Sequence, residues 1–340
     1  MPLKTTMKHI AMRAGVSAAT VSRVLNDKAT AISVSRKTRE KVQALAREMG
    51  YRPNLFAKSL RTNRSFLVGV VAWDLSDPFN GEVLRGIEQV LDEEDYSLLL
   101  NTAEASRQRM LRCLEKMSNV RADGVILMGG PETWGEKEIV GLGVDPQTLV
   151  LMGIRAQGLD ASSVIVDNVL GGFLGAEYLI KLGRRSIIYV AGKEKELDME
   201  DRLLGVRKAI GQYGAENRFS IIDAGPGENE GYTVTQEILS KTQSPMAIFG
   251  LNDMTALGII RAVKDSGLRV PQDVAVLGFD DLSMASYLEP RLSTVHQPRL
   301  ELGISAAELV VRLIDNKCKG AAKVQFHKVL NPSLVIREST

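Results

Sequence analysis

Apolar positions recur at helical spacing over roughly the first fifty residues and then in short strand-like runs, and that change of period divides the chain. Between Thr6 and Asn26, Ile10, Ala11 and Ala14 make one apolar face, Gly15 stops it and Val16 fills the corner. Val21, Val24 and Leu25 then make a second face. The spacing predicts two short helices around a tight turn, with Thr6 capping the first and Ser17 the second. Ala18, Ala19, Thr20, Ser22 and Arg23 are left pointing outward. A third amphipathic helix is expected over residues 35–49, with Val42, Leu45, Ala46 and Met49 inward. Residues 55–61, capped by Asn54 after Pro53, predict a helix too short to hold without support.

From Phe66 the pattern becomes strand and helix in alternation. Strands are expected at 66–72, 96–101, 124–128, 149–153, 164–167, 187–191, 221–223, 246–250 and 274–279. Helices are expected at 81–94, 107–119, 172–182, 201–213, 231–240 and 255–266. Strands apolar on both faces between helices predict an α/β fold of parallel sheets covered by helices, with units enough for two sheets. The polar stretch 158–163 and the restart at Val166-Asp167-Asn168 mark a break between lobes, and a second crossing is expected near 293–298. A helix over 299–316 and a strand pair at 323–329 and 334–336 complete the chain. A cleft between two such lobes, at the carboxyl ends of parallel strands, is the expected ligand site.

Composition adds less than the distribution of charge. The 340 residues exceed one ordinary core, and no apolar run approaches a membrane span of ~20 residues. Residues 1–5 are not followed by a signal-peptide core, so a cytoplasmic protein is expected. Cys113 and Cys318 have no partner pattern and read as reduced thiols. The net charge of +2 conceals 14 Lys and Arg against 3 Asp and Glu in residues 1–65, a net of +11, while the remainder carries 29 against 38, a net of −9. So concentrated a positive charge in the helical segment is the footprint of a polyanion binder. On the second helix Arg23 offers a bidentate contact to guanine, and Ala18 and Ala19 offer only van der Waals contact, as to a thymine methyl. Ser17, Thr20, Ser22 and Asn26 are suited to phosphates.

The runs AGVSAATVSRVLN, VSRKTREKV, GYRPN and AKSLR, in that order and spacing, resemble the lactose-repressor/galactose-repressor (LacI/GalR) family of bacterial transcription regulators. The resemblance extends over almost the whole chain. It implies a DNA-binding headpiece over 5–53, a hinge helix and linker over 54–64, and an effector-binding and dimerisation domain over 65–340 like the periplasmic sugar-binding proteins. The lobes are then expected at about 65–163 with 297–322, and about 164–294 with 323–340. It further implies a hinge leucine wedged into the minor groove, here Leu60, with Ala57 at the small site before it and Arg61 after. In the cleft it assigns Arg202 of the R-x-x-G motif as the effector clamp. Asn252 and Asp280 are assigned to hydroxyls or amines, and Phe79 and Asn80, after the loop that begins at Asp74, to closure. If the ligand is anionic, Arg155 with Arg202 is the expected fork.

Two departures shape the expected ligand. Phe79 is followed by Asn80 rather than a second aromatic, and Pro226 stands where relatives often carry another aromatic, so aromatic stacking is expected to be thin. Gly153-Ile154-Arg155 replaces a common Val-Asp-Arg, so one carboxylate is missing. This balance fits a small hydroxylated ligand better than a nucleobase.

Nucleotide, metalloprotease and hydrolase motifs are absent, and His9, His296 and His327 are scattered, so neither an enzyme nor a cofactor or metal site is expected. His296 reads as a hydrogen-bonded structural histidine, and Gly225-Pro226-Gly227 as a loop. The expectation is a homodimeric repressor of a palindromic operator, controlled by a carbohydrate-like effector. With no leucine heptads after the last strand, a dimer rather than a tetramer is expected. The sequence leaves open a regulator gated by a partner protein, as in the family's catabolite-control branch, and more distantly an enzyme with a DNA-binding appendage.

Overall fold

The computed structural model describes residues 5–25, 34–51, 59, 62–130, 135–154, 159–192, 197–241, 246–322 and 324–340. The chain divides into Met1–Ser65 and Phe66–Thr340. In the small unit α1 (Met7–Ala14), α2 (Ala18–Leu25) and α3 (Arg36–Glu48) close on one core. Ile10, Ala11, Ala14, Val21, Val24, Val42 and Ala46 are buried there, with Val16, Leu45 and Met49 packed against them. Gly15 makes the corner at φ 70°, where a side chain would be strained. The Ser17 hydroxyl accepts the Thr20 amide at 3.1 Å, and Ser35 accepts that of Thr38 at 3.2 Å, so both later helices start on a serine. The expected hinge segment 55–61 lies, apart from Ser59, outside the described residues.

The large unit runs in chain order β1 (Leu67–Ala72), α4 (Phe79–Glu93), β2 (Ser97–Thr102), α5 (Arg107–Asn119), β3 (Gly124–Met128), α6 (Glu136–Gly141), β4 (Leu149–Met152) and β5 (Ser162–Val166). It continues with α7 (Asn168–Lys181), β6 (Ser186–Gly192), α8 (Leu197–Tyr213), β7 (Phe219–Ala224), α9 (Glu228–Lys241), β8 (Met246–Gly250) and α10 (Asp253–Asp265). The last elements are β9 (Val274–Asp280), β10 (Ser293–His296), α11 (Arg299–Cys318), β11 (His327–Leu330) and β12 (Ser333–Val335). One sheet has the order β11-β5-β4-β3-β1-β2 and the other β12-β10-β9-β8-β6-β7. Among the described strands only the β10–β12 pair is antiparallel. Alternate residues of each central strand feed cores on opposite faces: Val70 and Ile126 one side, Val71 and Leu127 the other. Burial on both faces explains why these strands read as continuous apolar runs.

The lobe boundaries differ from those expected. Val164 pairs with Met152 inside the first sheet, so the chain leaves that lobe after Val166 rather than before 164. Nor do the last two strands pair. Residues 327–330 lie parallel to β5 in the first sheet, and β12 lies against β10 in the second. Asn331-Pro332 stands between them, and proline cannot take the positive φ of a two-residue hairpin turn, so the chain continues extended into the other lobe.

Helices of the large unit cross in pairs on glycines. A β-carbon at Gly172 of α7 would lie 2.0 Å from the Arg202 carbonyl oxygen of α8, and one at Gly205 of α8 the same distance from that of Val169 on α7. Gly86 and Gly303 do this for α4 and α11, and Gly231 and Gly258 for α9 and α10. Backbones in direct contact set the heights of the helix starts, which surround the site described next.

Candidate functional site

In the small unit α2 presents Ser17, Ala18 and Ala19 as exposed residues and Thr20, Ser22 and Arg23 as half-buried ones. The Ser17 and Thr20 hydroxyls also share a hydrogen bond of 2.9 Å, so their first task is to start the helix. Asn26, Ala57, Leu60 and Arg61 lie outside the described residues.

In the large unit the carboxyl ends of β1, β3, β4, β8 and β9 open on one cavity of about 420 Å3, a volume suited to a small molecule. Its floor is a chain of polar side chains. Asp198 Oδ1 accepts from Asn168 Nδ2 at 3.0 Å, and Asn168 Oδ1 accepts from Arg202 Nε at 2.9 Å. Arg202 Nη2 then faces Asp280 Oδ1 at 3.5 Å, and that oxygen accepts from Gln297 Nε2 at 2.6 Å. Arg202 Nε can only donate, so the Asn168 amide has one orientation and its nitrogen must face the Asp198 carboxylate. Arg202 also donates from Nη1 to the Leu251 carbonyl at 2.8 Å and stacks 3.9 Å from the centre of the Phe279 ring. At 8% exposure it is a buried cation held on three sides, with part of each terminal nitrogen left for a ligand.

Asp280 sits in a strained turn, at φ 112°, followed by Asp281 at φ 55°. Such backbone costs on the order of 1–3 kcal/mol per residue and persists only where surroundings enforce it. Here Arg337 Nη2 holds Asp281 Oδ1 at 2.6 Å, His296 Nδ1 holds its Oδ2 at 3.0 Å and Arg299 Nη2 holds its carbonyl at 2.7 Å. Burial raises the Asp280 carboxyl above the ordinary carboxylate range, against the pull of Arg202. Asp253, fully buried behind it, is raised by burial and by the Asp280 charge. Its oxygens accept from Thr294 at 2.6 Å and from the Leu282 amide at 2.7 Å, and so brace the turn.

Asn252 caps α10 by accepting the Thr255 amide at 2.8 Å, which leaves its amide nitrogen as the donor it can offer the cavity. On the opposite wall Asn80 donates to the Asp74 carbonyl at 2.6 Å. Both carboxylate oxygens of Asp74 accept from Ser76 at 2.9 Å, so Asp74, although on the wall, first shapes its own loop. Phe79 lines the cavity as expected, and so does Trp73, directly after β1. Two aromatic residues, Trp73 and Phe79, thus line this wall, while Asn80 and Pro226 stand at the two positions where fewer aromatics were expected. Arg155 lies outside the described residues.

The structure brings Arg202, Asn252, Asp280, Asp74, Phe79 and Asn80 to one cavity. Sequence reasoning missed Trp73, Asp198, Asn168 and Gln297. Asp198 had a signal, since it precedes Arg202 by four residues and so shares a helix face with it. It also supplies a carboxylate near Gly153, 3.2 Å from where a β-carbon there would be, on the side of the cavity where the expected Val-Asp-Arg acid is missing. Among the described residues no group of His, Cys, Asp and Glu could hold a metal ion, and no helix is long and apolar enough to cross a membrane.

Comparison with known proteins accords with this arrangement. Residues 6–54 match the profile of bacterial regulatory proteins of the lacI family, and residues 176–340 match a periplasmic binding protein-like domain. The chain is 34% identical over 327 residues to the ribose operon repressor of Escherichia coli strain K12, covering 96% of this chain and 98% of that protein. It is 32% identical over 335 residues to the ribose operon repressor of Haemophilus influenzae, covering 98% of each. The crystal structure of the lac repressor dimer bound to operator and the anti-inducer ONPF superposes with a TM-score of 0.83 at 28% identity, covering 99% of each chain. With relatives matched along nearly their whole length by a helix-turn-helix unit followed by two sheets around one cavity, the chain belongs to the lacI family of bacterial regulatory proteins.

Proposed function

We propose that the chain is a cytoplasmic transcription repressor that binds a palindromic operator as a homodimer and loses or gains operator affinity when a small carbohydrate occupies the cavity. The observation that carries the effector reading is the polar floor from Asp198 to Gln297, facing the Trp73 and Phe79 wall. A sugar ring offers hydroxyls to such a floor and a C–H face to such a wall. Two of the relatives above are named for the ribose operon, and the lac repressor structure is titled as a dimer bound to operator. The family assigns DNA recognition to the small unit, and its surplus of eleven positive charges suits it to phosphates.

The test is operator binding followed by fluorescence anisotropy on DNA selected from a randomised pool, with and without D-ribose and related sugars. The selected site should be a palindrome bound by two chains, and one sugar should change its affinity. Arg202→Ala should keep operator binding and lose that change, since the guanidinium faces the cavity and lies outside the DNA-binding unit. A selected site without twofold symmetry would reject the dimer reading. An operator response to a partner protein, with no sugar active, would support gating by protein instead.

A further inference from the structure

We propose that Arg299 is a positioning residue for the effector: anchored in the lobe of the first sheet, its guanidinium holds the turn that carries Asp280 in the other lobe, so that lobe closure and the aim of this carboxyl are one event. This rests on the effector reading above and names a means of its regulation. Arg299 opens α11 directly after the crossing segment Gln297-Pro298. The start of α11 is locked against α4 by the close crossing at Gly86 and Gly303, so Glu82 of α4 and Arg299 move as one body. Glu82 Oε2 lies 2.9 Å from Arg299 Nη2. The same nitrogen donates to the Asp281 carbonyl at 2.7 Å, on the far side of the crossing. One nitrogen therefore joins the two lobes, on a side chain that is only 7% exposed.

This joint lies directly behind the cavity. Glu82 stands one turn beyond Phe79 on α4, and Asp281 follows Asp280, so each end of the joint adjoins a cavity wall. Arg337 and His296, which also brace Asp281, belong to the lobe of the second sheet and travel with it. Arg299 is the brace that a change of lobe angle alters. Asp280 and Asp281 hold φ of 112° and 55°, backbone that persists only while its surroundings enforce it, so a turn released by Arg299 relaxes and carries Asp280 off its aim. Arg299 Nε is buried without a hydrogen-bond partner among the described residues, so the guanidinium is placed through Nη2 and no second donor takes over when that contact opens.

The experiment uses the full chain and D-ribose, or whichever of D-glucose, D-galactose and D-xylose raises the melting temperature most. Calorimetry gives the sugar affinity, and hydrogen exchange gives the protection of residues 280–284 with and without sugar. Arg299→Met keeps the apolar stem and should weaken sugar binding on the order of 10- to 100-fold, the loss of a hydrogen bond from a charged group. Glu82→Ala alters a half-exposed helix position outside the cavity, so the fold tolerates it. It should weaken binding at least about threefold and speed exchange at the turn. Arg85→Ala, which removes the exposed partner of Glu82 at 3.2 Å, is the control and should change neither. In an Asp280→Asn background Arg299→Met should cost little more, because both changes act through one carboxyl; losses that add would show general loosening and overturn the inference. Unaltered affinity and exchange in Glu82→Ala overturn it as well, while leaving the carbohydrate reading intact. If none of these sugars binds the wild type, the carbohydrate reading falls by itself, and exchange at the turn in Glu82→Ala still decides: faster upholds the joint, unchanged overturns it.

Discussion

The glycine crossing beneath Arg202 gives the sharpest prediction. In Gly205→Ala the new β-carbon would stand 2.0 Å from the Val169 carbonyl oxygen and 2.7 Å from the Phe173 nitrogen. Carbon–oxygen contacts between helices settle near ~3.3 Å, so α7 and α8 must part by about 1.3 Å. Both obstacles are backbone, which cannot swing aside as a side chain would. Overpacking of this kind costs about 1–3 kcal/mol. The same parting stretches the Arg202–Asn168 bond, 2.9 Å in the structure, well past the ~3.2 Å limit of a good hydrogen bond. Loss of a charge-assisted bond that orients the guanidinium should weaken sugar binding by roughly 10- to 100-fold. Gly211→Ala, on the same helix, is the control, because a β-carbon there meets nothing within 4 Å. It should stabilise by about 0.5–1 kcal/mol through helix propensity and leave binding unchanged. Urea unfolding and sugar titration of the three proteins decide the matter. If the two alanine variants unfold at the same midpoint, the close crossing is not what locks the helices.

Other consequences are more local. The folded Asp253 and Asp280 carboxyls are raised above their unfolded values, so their contribution to stability is fully present below about pH 4 and is lost as pH rises through the folded values, by up to about 1.4 kcal/mol per pH unit per group. Asp253→Asn should flatten the fall in melting temperature between pH 5 and 8, and an unchanged slope, followed by circular dichroism, would show that this carboxyl is not titrating. Arg23→Ala should cost ~1–3 kcal/mol on the cognate operator and relax choice at one base pair per half-site; recovery of the same half-site by selection on random DNA would reject the guanine contact. Leu60→Ala should weaken operator binding strongly while leaving salt-dependent binding to random DNA nearly unaltered, so equal losses on both would count against a minor-groove wedge.

Much of this molecule was legible in residue order because the signals are local. The period of Ile10, Ala11 and Ala14, then of Val21, Val24 and Leu25, needs only neighbours on the same helix to be read, and the helix-turn-helix followed from it. Gly124–Met128 and Met246–Gly250 are buried on every residue, and an unbroken apolar run of five between turns already implies a covered parallel strand. Arg202, Asn252 and Asp280 could be picked out because motifs mark the ends of strands, where this architecture holds ligands. What the order of residues left undetermined was every relation between elements distant in the chain. Residues 327–330 and β12 look alike as short strands, and only the edges available to them, beside β5 and beside β10, send them to different lobes. Asn168, Arg202 and Gln297 are separated by 34 and 95 residues in the chain, yet they share one hydrogen-bonded floor through Asp280. The reason is physical: periodicity records which face of an element is apolar, whereas the closeness of Gly172 to Gly205, and so the height of Arg202 over the cavity, is set by packing that exists only once both helices are in place.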